Sequence, residues 1–249
     1  KGFTYASALD LNMGYYTIRL DPDAQKLCTI VLPWGKYKYK RLPMCLAGSP
    51  DIFQEKMSDL MRGLEFVRCY LDDVLIISTS TFEEHLTKVE TCFQRIEKAG
   101  LKIYPDKSFF GKKEIEYLGY WVTQHGIQPQ VKKVKSILEM EEPKNAKQLR
   151  GFIGLVNYYR DMWRRRSHVL APLTELCSKK VKWRWGDNER KAFQEAKRII
   201  SKNAMLAFPD FNKKFTIYTD VSKYQLGGII TQDGKPLAFY SCKLKDAQT

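Results

Sequence analysis

The sequence lacks the features that mark secreted, membrane-spanning and zinc-stabilised proteins. Its six cysteines are scattered and none forms a C-x-x-C pair, so neither a zinc site nor a disulfide framework is predicted. No apolar run approaches the length of a membrane span, and the first residues carry no hydrophobic signal segment. Low-complexity tracts are also missing. We therefore expect a globular, intracellular protein with reduced thiols and no membrane association.

Positive charge, in contrast, is abundant. The 249 residues contain 42 Lys and Arg residues against 28 Asp and Glu residues, a net charge of +14. Residues 128–203 alone contain 19 basic and 8 acidic residues, so a local net charge of +11 accounts for most of the excess. Such a segment favours a polyanionic partner, because cations that neutralise phosphates release bound counterions. A solvated basic helix surface is the alternative.

The order of predicted elements indicates an α+β fold, with an antiparallel sheet and helices on one of its faces. A hairpin is predicted around Pro33-Trp34-Gly35. A helix is predicted after Ser49, with Pro50 in its first turn. A second helix begins at the capping box that starts at Thr81. The predicted buried faces are Ile52, Phe53, Met57, Leu60, Met61 and Leu64 on the first helix, and Leu86, Val89, Phe93 and Ile96 on the second.

The basic segment and the C-terminal residues have different patterns. Asn145 and Gln148 are predicted to cap a helix, and another helix begins after Asp187. Strands are predicted at 215–220, 227–231 and 237–241, with a hairpin turn at Asp233-Gly234. The buried helix positions are expected to be Leu149, Phe152, Ile153, Val156 and Tyr159, then Phe193, Ala196 and Ile199 or Ile200. Three strands without a covering helix bury little surface, so this last sheet is expected to be incomplete.

Two adjacent carboxylates stand between apolar runs in the stretch CYLDDVLIIS, residues 69–78. An ordinary acidic hairpin turn at Leu71-Asp72 or Asp72-Asp73 explains one aspartate readily, because Asp is a common turn residue. Two like charges beside buried strands repel each other unless a cation such as magnesium binds both. Asp10 is predicted to end an apolar strand and would supply a third ligand if that strand pairs with the hairpin. Both the turn and the metal site remain open at this point.

The sequence resembles the reverse transcriptases of gypsy-like LTR retrotransposons over nearly its whole length. ALDLNMGYYTI resembles the first palm motif, LPMCLAGSPDIFQ the template- and nucleotide-positioning motif, YLDD the Y-x-D-D signature, and EYLGYWVTQHGI the primer grip. The segment that follows the palm in the family is similar to LRGFIGLVNYYRDMWRRRSHVLAPLTEL. The residues that begin with WRWGDNERKAF are similar to the join between that segment and an RNase H-like domain. The motifs occur in the order and spacing of the family.

This resemblance implies a Pol polyprotein segment that acts as an RNA-directed DNA polymerase. It implies a reverse transcriptase palm with most of the fingers missing at 1–127, a basic helical thumb or connection at 128–205, and the N-terminal part of a truncated RNase H-like domain at 206–249. The implied partners are an RNA or DNA template with a DNA primer, and dNTPs. The implied location is a cytoplasmic virus-like particle.

The resemblance also implies roles for individual residues. Asp10, Asp72 and Asp73 would be the catalytic ligands of two Mg²⁺ ions, for which Mn²⁺ could substitute. Tyr15 matches the aromatic residue that excludes a ribose 2′-hydroxyl. The remaining implied roles are nucleotide binding by Tyr15, Met44, Cys45 and Tyr70, the primer grip at Leu118 and Gly119, nucleic-acid binding by Arg164, Arg165 and Arg166, and the first RNase H ligand at Asp220. Packing in the core or at a strand end is the alternative for Tyr15, Tyr70, Met44 and Asp220.

The match to the family departs at three places. Cys45 stands where the family usually has glycine, and a side chain there would crowd the pocket if the position needs a positive φ or a close approach of the backbone to the nucleotide. Decay of an old element and tolerated variation are both open explanations. The fingers are expected before Lys1 and the remaining RNase H ligands after Thr249, so RNase H activity is not expected. A truncated or decayed relic that only binds nucleic acid is therefore the alternative to a polymerase.

Overall fold

The computed structural model describes residues 2–202, 205–222 and 225–244. The chain forms two compact units. The first is Phe3–Leu118, and the second begins at Gly119 and also includes Gly2. No helix within the described ranges has the length and apolar character needed to cross a membrane. The predicted division into three domains stays a prediction.

The first unit is built around an antiparallel sheet. Its strands run in the order β4-β5-β1-β6, and β7 also pairs with β1. A separate hairpin pairs β2 with β3. Short 3₁₀ helices occupy Gly14–Thr17 and Pro105–Lys107. The elements are β1 (Tyr5–Asn12), α1 (Pro22–Leu27), β2 (Thr29–Leu32), β3 (Gly35–Lys38), α2 (Ser49–Leu60), β4 (Val67–Tyr70), β5 (Asp73–Ser78), α3 (Phe82–Lys98), β6 (Lys102–Ile103), β7 (Phe109–Lys112) and β8 (Ile115–Tyr117).

One hydrophobic core joins this sheet to α2 and α3, which confirms the predicted α+β class. Leu9 and Leu11 of β1 pack in the same cluster as Phe53 of α2 and Ile96 of α3. Thr81 caps α3 as predicted, since its side chain accepts a hydrogen bond from the Glu84 amide. The strands of this core carry Asp10 and Asp73, and the turn between β4 and β5 carries Asp72.

Two predicted core positions are wrong. Ile52 is 42% exposed and Leu86 is 51% exposed. In the first turn of α3, His85 is buried in place of Leu86. Its ring nitrogens form hydrogen bonds with Ser7 Oγ at 2.7 Å and Ser78 Oγ at 3.0 Å. Burial lowers the pKa of His85, and the nearby Lys88 charge lowers it further. Satisfied hydrogen bonds thus let a polar side chain take a place that the apolar pattern assigned to leucine.

The second unit combines helices with two small antiparallel sheets. Asn145 caps α5 as predicted, because its Oδ1 accepts from the Gln148 amide at 2.9 Å. Leu149, Phe152 and Phe193 lie in one buried cluster formed mainly by the helices. The elements are β9 (Tyr120–Val122), β10 (Ile127–Pro129), α4 (Val131–Leu138), α5 (Ala146–Tyr158), a 3₁₀ helix (Arg160–Met162), α6 (Arg166–Glu175), α7 (Asp187–Ser201), β11 (Thr216–Val221), β12 (Gln225–Gln232) and β13 (Lys235–Lys243).

The last sheet has the order β11-β12-β13, and its hairpin turn lies at Asp233-Gly234 as predicted. Both turn residues have positive φ, +51° and +75°. Asp-Gly suits this conformation because Asp tolerates it and Gly has no Cβ. Every residue of β11 is exposed, as expected for a sheet with little cover.

Candidate active site

The pairing of β1 with β5 brings the candidate carboxylates together. Asp10 lies directly opposite Asp73 in the antiparallel register. Asp72 is in the preceding turn, where its carbonyl accepts a hydrogen bond from the Leu11 amide at 2.9 Å. The expectation that Asp10 ends its strand is wrong, because β1 continues to Asn12 by pairing with β6. Asp10 therefore lies inside β1 and not at its end.

A glutamine holds the turn that carries Asp72. Leu71 has a φ of +53°, a conformation that L-residues with large side chains rarely adopt. The Leu71 amide donates to Oε1 of Gln54 on α2 at 2.7 Å, and Gln54 Nε2 donates to the Cys69 carbonyl at 3.4 Å. Sequence reasoning missed Gln54. Its only signal is its position at the end of the LPMCLAGSPDIFQ motif.

The charges at this edge are mutually unfavourable. Burial raises the pKa of Asp73, and the charges of Asp72 and Asp10 raise it further. No Lys or Arg of the described chain forms an ion pair with Asp10, Asp72 or Asp73. Carboxylate oxygens are the ligands that hard divalent cations prefer, so the donor set suits Mg²⁺.

The backbone gathers these carboxylates, but their side chains do not form a closed ligand set. Nowhere in residues 2–202, 205–222 and 225–244 do three His, Cys, Asp or Glu side chains group as metal ligands. The residue types and the strand register fit a divalent cation.

The residues implied to bind nucleotide lie in different environments. Tyr15 is buried, and its ring stacks on Phe53 with centroids 4.6 Å apart. Burial raises the pKa of Tyr15, with smaller contributions from Asp72 and Tyr70. Tyr70 and Met44 are about half exposed, at 55% and 54%, so Met44 is not a filler of the core. These nucleotide-binding roles stay predictions.

Cys45 does not need the conformational freedom of glycine. It is exposed, and it is not among the residues with positive φ. A cysteine is therefore accommodated without backbone strain at this position. The structure removes one of the two reasons for reading Cys45 as a damaging substitution, and close approach of a nucleotide is the other.

Leu118 and Gly119, the candidate primer grip, both have positive φ, +46° and +71°. A Cβ at Gly119 would lie 2.3 Å from Lys133 Nζ and 3.0 Å from Tyr158 Oη. Tyr159 Oη donates to the Gly119 carbonyl at 3.0 Å. Glycine at 119 thus serves the packing of its own unit, and contact with a primer stays a prediction.

The three arginines have two different roles. Arg166 is half-buried, and its guanidinium donates to Asn157 Oδ1 and to the Ser241 carbonyl. Arg164 and Arg165 are exposed, and with Asp220 they line a cavity of about 250 Å³. Arg166 is therefore committed to internal contacts, whereas the other two remain available for a ligand. The nucleic-acid role of the arginines and the RNase H role of Asp220 stay predictions.

The amino-acid sequence matches two known families. Residues 1–122 match the family "Reverse transcriptase (RNA-dependent DNA polymerase)", and residues 185–249 match the "RNase H-like domain found in reverse transcriptase".

Curated relatives extend the match across the whole chain. The retrovirus-related Pol polyprotein from transposon 297 of Drosophila melanogaster is 36% identical over 97% of this chain. The Pol polyprotein from transposon gypsy of the same organism is 31% identical over 98% of the chain. The transposon Tf2-3 polyprotein of Schizosaccharomyces pombe is 31% identical over 100% of the chain. The chain spans only 23%, 25% and 19% of the length of these relatives.

Solved structures share the fold. The foamy viral protease-reverse transcriptase in complex with an RNA/DNA hybrid superposes with a TM-score of 0.91 at 23% identity, covering 98% of this chain and 34% of that one. The same viral protein in complex with double-stranded DNA gives a TM-score of 0.87 at 23% identity, covering 98% of this chain and 52% of that one. At this identity the likeness establishes the fold. With the family matches and the relatives, it follows that the chain belongs to the reverse transcriptases of retrotransposon Pol polyproteins.

Proposed function

We propose that the chain is the catalytic palm and following segments of an RNA-directed DNA polymerase that adds dNTPs to a primer 3′-hydroxyl. The observation that carries the proposal is the register of β1 and β5, which sets Asp10 opposite Asp73 beside the turn residue Asp72. A cluster of carboxylates without a basic partner suits a reaction in which divalent cations balance the charge.

Each part of the site has a defined task in this proposal. Asp10, Asp72 and Asp73 would hold two Mg²⁺ ions, or Mn²⁺ in their place, which when bound activate the primer hydroxyl and neutralise the triphosphate. Gln54 keeps Asp72 in position through the Leu71 amide. Tyr15, which stacks on Phe53, would exclude a ribose 2′-hydroxyl from the sugar site.

The partners follow from the same reasoning. Structural neighbours were solved with an RNA/DNA hybrid and with double-stranded DNA, which supports a template annealed to a primer as the ligand here. The basic segment at 128–203 suits the phosphate backbone of that ligand. We propose that this chain is located in a cytoplasmic virus-like particle.

Primer extension tests this function. The chain is incubated with an RNA template, a DNA primer, dNTPs and Mg²⁺ or Mn²⁺, and nucleotide incorporation is measured. Because the carboxylates hold the ions, Asp72→Asn should reduce incorporation by about 1,000-fold, equivalent to roughly 4 kcal/mol of barrier. Asp220→Asn, a matched change on exposed β11, should leave it unchanged. Equal incorporation by Asp72→Asn and the unaltered chain would overturn the metal assignment.

A nucleic-acid-binding relic without catalysis is the second candidate, favoured by the local charge of +11 in residues 128–203. It predicts salt-dependent binding of a template and primer with no incorporation under any metal. The unstrained backbone at Cys45 weakens this alternative, because it removes one reason to regard the nucleotide pocket as damaged.

A further inference from the structure

The hairpin formed by β2 and β3 exposes apolar side chains that the proposed chemistry does not use. Trp34 lies in the turn of this hairpin and is 73% exposed. Val31 is 74% exposed and Tyr37 is 48% exposed. A single exposed apolar residue is ordinary on a protein surface. Tyr37 is paired with Ile30 and so lies on the other face from Val31, but Val31 and the turn tryptophan, both about three-quarters exposed, indicate a surface that binds a ligand.

The two faces of the hairpin differ. Val31 lies opposite Lys36, and Thr29 opposite Lys38, in the antiparallel register. Side chains of directly paired residues point to the same face, and all four of these are exposed. Ile30 and Leu32 alternate with them along β2 and are half-buried. The face with Val31 and the two lysines is therefore exposed to solvent, whereas Ile30 and Leu32 on the other face are partly covered.

The charged residues within the hairpin and directly after it are all basic. Residues 24–50 contain five Lys and Arg residues and no Asp or Glu. Lys26 is paired with Asp23, which lies just outside this range, at 2.8 Å. Within the described chain, Lys36, Lys38 and Lys40 form no ion pair. The positive charge of the outer face is therefore uncompensated.

We infer that the outer face of the β2–β3 hairpin binds single-stranded nucleic acid, with Trp34 stacked on an unpaired base and Lys36 and Lys38 against phosphates. Aromatic stacking together with cations that follow the backbone is how proteins bind unpaired strands. An apolar protein partner would use Val31 and Trp34 but would gain nothing from two unpaired lysines. The inference rests on the proposed function only for the identity of the strand, namely the unpaired part of a template.

Equilibrium binding tests the inference. Fluorescence anisotropy of a labelled single-stranded RNA or DNA oligonucleotide is measured over a series of salt concentrations, in EDTA and without dNTPs. The double variant Lys36→Gln/Lys38→Gln should flatten the slope of log K against log salt by about 1.4, from two lost phosphate contacts at about 0.7 each. Trp34→Ala should weaken binding by about tenfold without altering that slope, whereas Trp34→Phe should stay within about twofold of the unaltered chain.

Matched controls come from the neighbouring helix. Lys26→Gln removes the same charge from a lysine that already has a partner, and Leu27→Ala removes an apolar side chain that is 87% exposed. Both should bind as the unaltered chain does. Unchanged affinity and slope in all hairpin variants would overturn the inference, as would an equal loss on a blunt duplex, which has no unpaired base. The binding assay needs neither metal nor nucleotide incorporation. Its result can therefore be interpreted even if the chain proves not to be a polymerase.

Discussion

The two larger sheets of the molecule both carry an aspartate on an apolar strand, yet only one gathers a cluster of charges. In the first unit, Asp10 meets Asp73 across the β1–β5 pair. In the second, Asp220 of β11 lies opposite Gly227 of β12. The local sequences ALDL and YTDV look alike. What separates them is the residue that the partner strand places opposite, so a strand that ends near Asp is not by itself evidence of a site.

The hairpin turns of these sheets differ in the same way. Asp233 and Gly234 adopt positive φ by virtue of their own residue types. Leu71 adopts it against its preference, with Gln54 on another element accepting its amide hydrogen. A turn held by its own residues serves to connect strands. A strained turn held from outside is the kind found where a side chain must be positioned for function.

The largest expected difference is in the stability lost when a side chain next to each sheet is truncated, because only the first sheet is covered by helices. Phe53 is 1% exposed and packs beneath Tyr15, so Phe53→Ala should lower the free energy of unfolding by about 3–5 kcal/mol. Ile217 of β11 is 64% exposed, and Ile217→Ala should change the free energy of unfolding by no more than about 0.5 kcal/mol. Urea unfolding measures both. Comparable losses would show that the C-terminal sheet is as well packed as the first.

The elements that could be predicted from the sequence are those with local signals. Asn145 and Thr81 cap their helices, Asp233-Gly234 turns its hairpin, and the Leu71-Asp72 turn lies where the apolar runs stop. The buried place of His85 was not predictable, because it depends on Ser7 and Ser78, which are distant in the sequence. Apolar periodicity assigns such a position to the nearest leucine instead.

The candidate site was predictable in its residue types but not in its geometry. Placing Asp10 beside Asp73 requires the register of two strands more than sixty residues apart, which no local pattern encodes. The role of Gln54 could not be predicted from the sequence for a related reason. A half-buried polar residue on a helix gives no periodic signal, and its partner amide belongs to a turn that the helix pattern does not reveal.

A smaller effect is expected from the outside support of the first turn. Gln54→Leu removes the acceptor of the Leu71 amide, which should cost about 1–2 kcal/mol of stability. It should also lower the turnover rate of primer extension more than it raises the KM for dNTP, because Asp72 loses its position while the nucleotide contacts remain. Steady-state kinetics and urea unfolding measure the two effects.

Gln54→Glu is the control for this change, since a carboxylate oxygen can still accept from the Leu71 amide. It also adds a negative charge beside the turn that carries Asp72 and loses the donor to the Cys69 carbonyl, so it should recover only part of the stability that Gln54→Leu loses. If both variants matched the unaltered chain in stability and kinetics, the turn would not depend on this contact.

The second turn should respond to a change in its own residue. Gly234 has a φ of +75°, and a Cβ there would meet nothing within 4 Å, so Gly234→Ala isolates the conformational penalty of about 1 kcal/mol. Gly151, inside α5, also has open space but no positive φ. Gly151→Ala should therefore stabilise the chain by a similar amount. Thermal unfolding of both variants checks the opposite signs.

The smallest expected effect concerns the charges themselves. Burial, and then Asp72 and Asp10, raise the pKa of Asp73. The folded chain therefore holds this proton to a higher pH than the unfolded chain does, so stability falls as the pH rises from the ordinary aspartate pKa through the raised one. At neutral pH, Asp73→Asn should raise the Tm by about 1–2 °C, and near pH 3, where both states are protonated, the gain should vanish.

Asp220→Asn is the matched control for this last prediction, because Asp220 has only Gly227 opposite it and is exposed on β11. Its Tm should not change at either pH. The scans are made in EDTA, so that no divalent cation masks the repulsion. A lower Tm for Asp73→Asn at neutral pH would mean that the Asp73 charge stabilises the fold. A higher Tm would mean that the first sheet keeps a destabilising charge that the second sheet lacks, as expected where carboxylates are retained to bind cations rather than to support the fold.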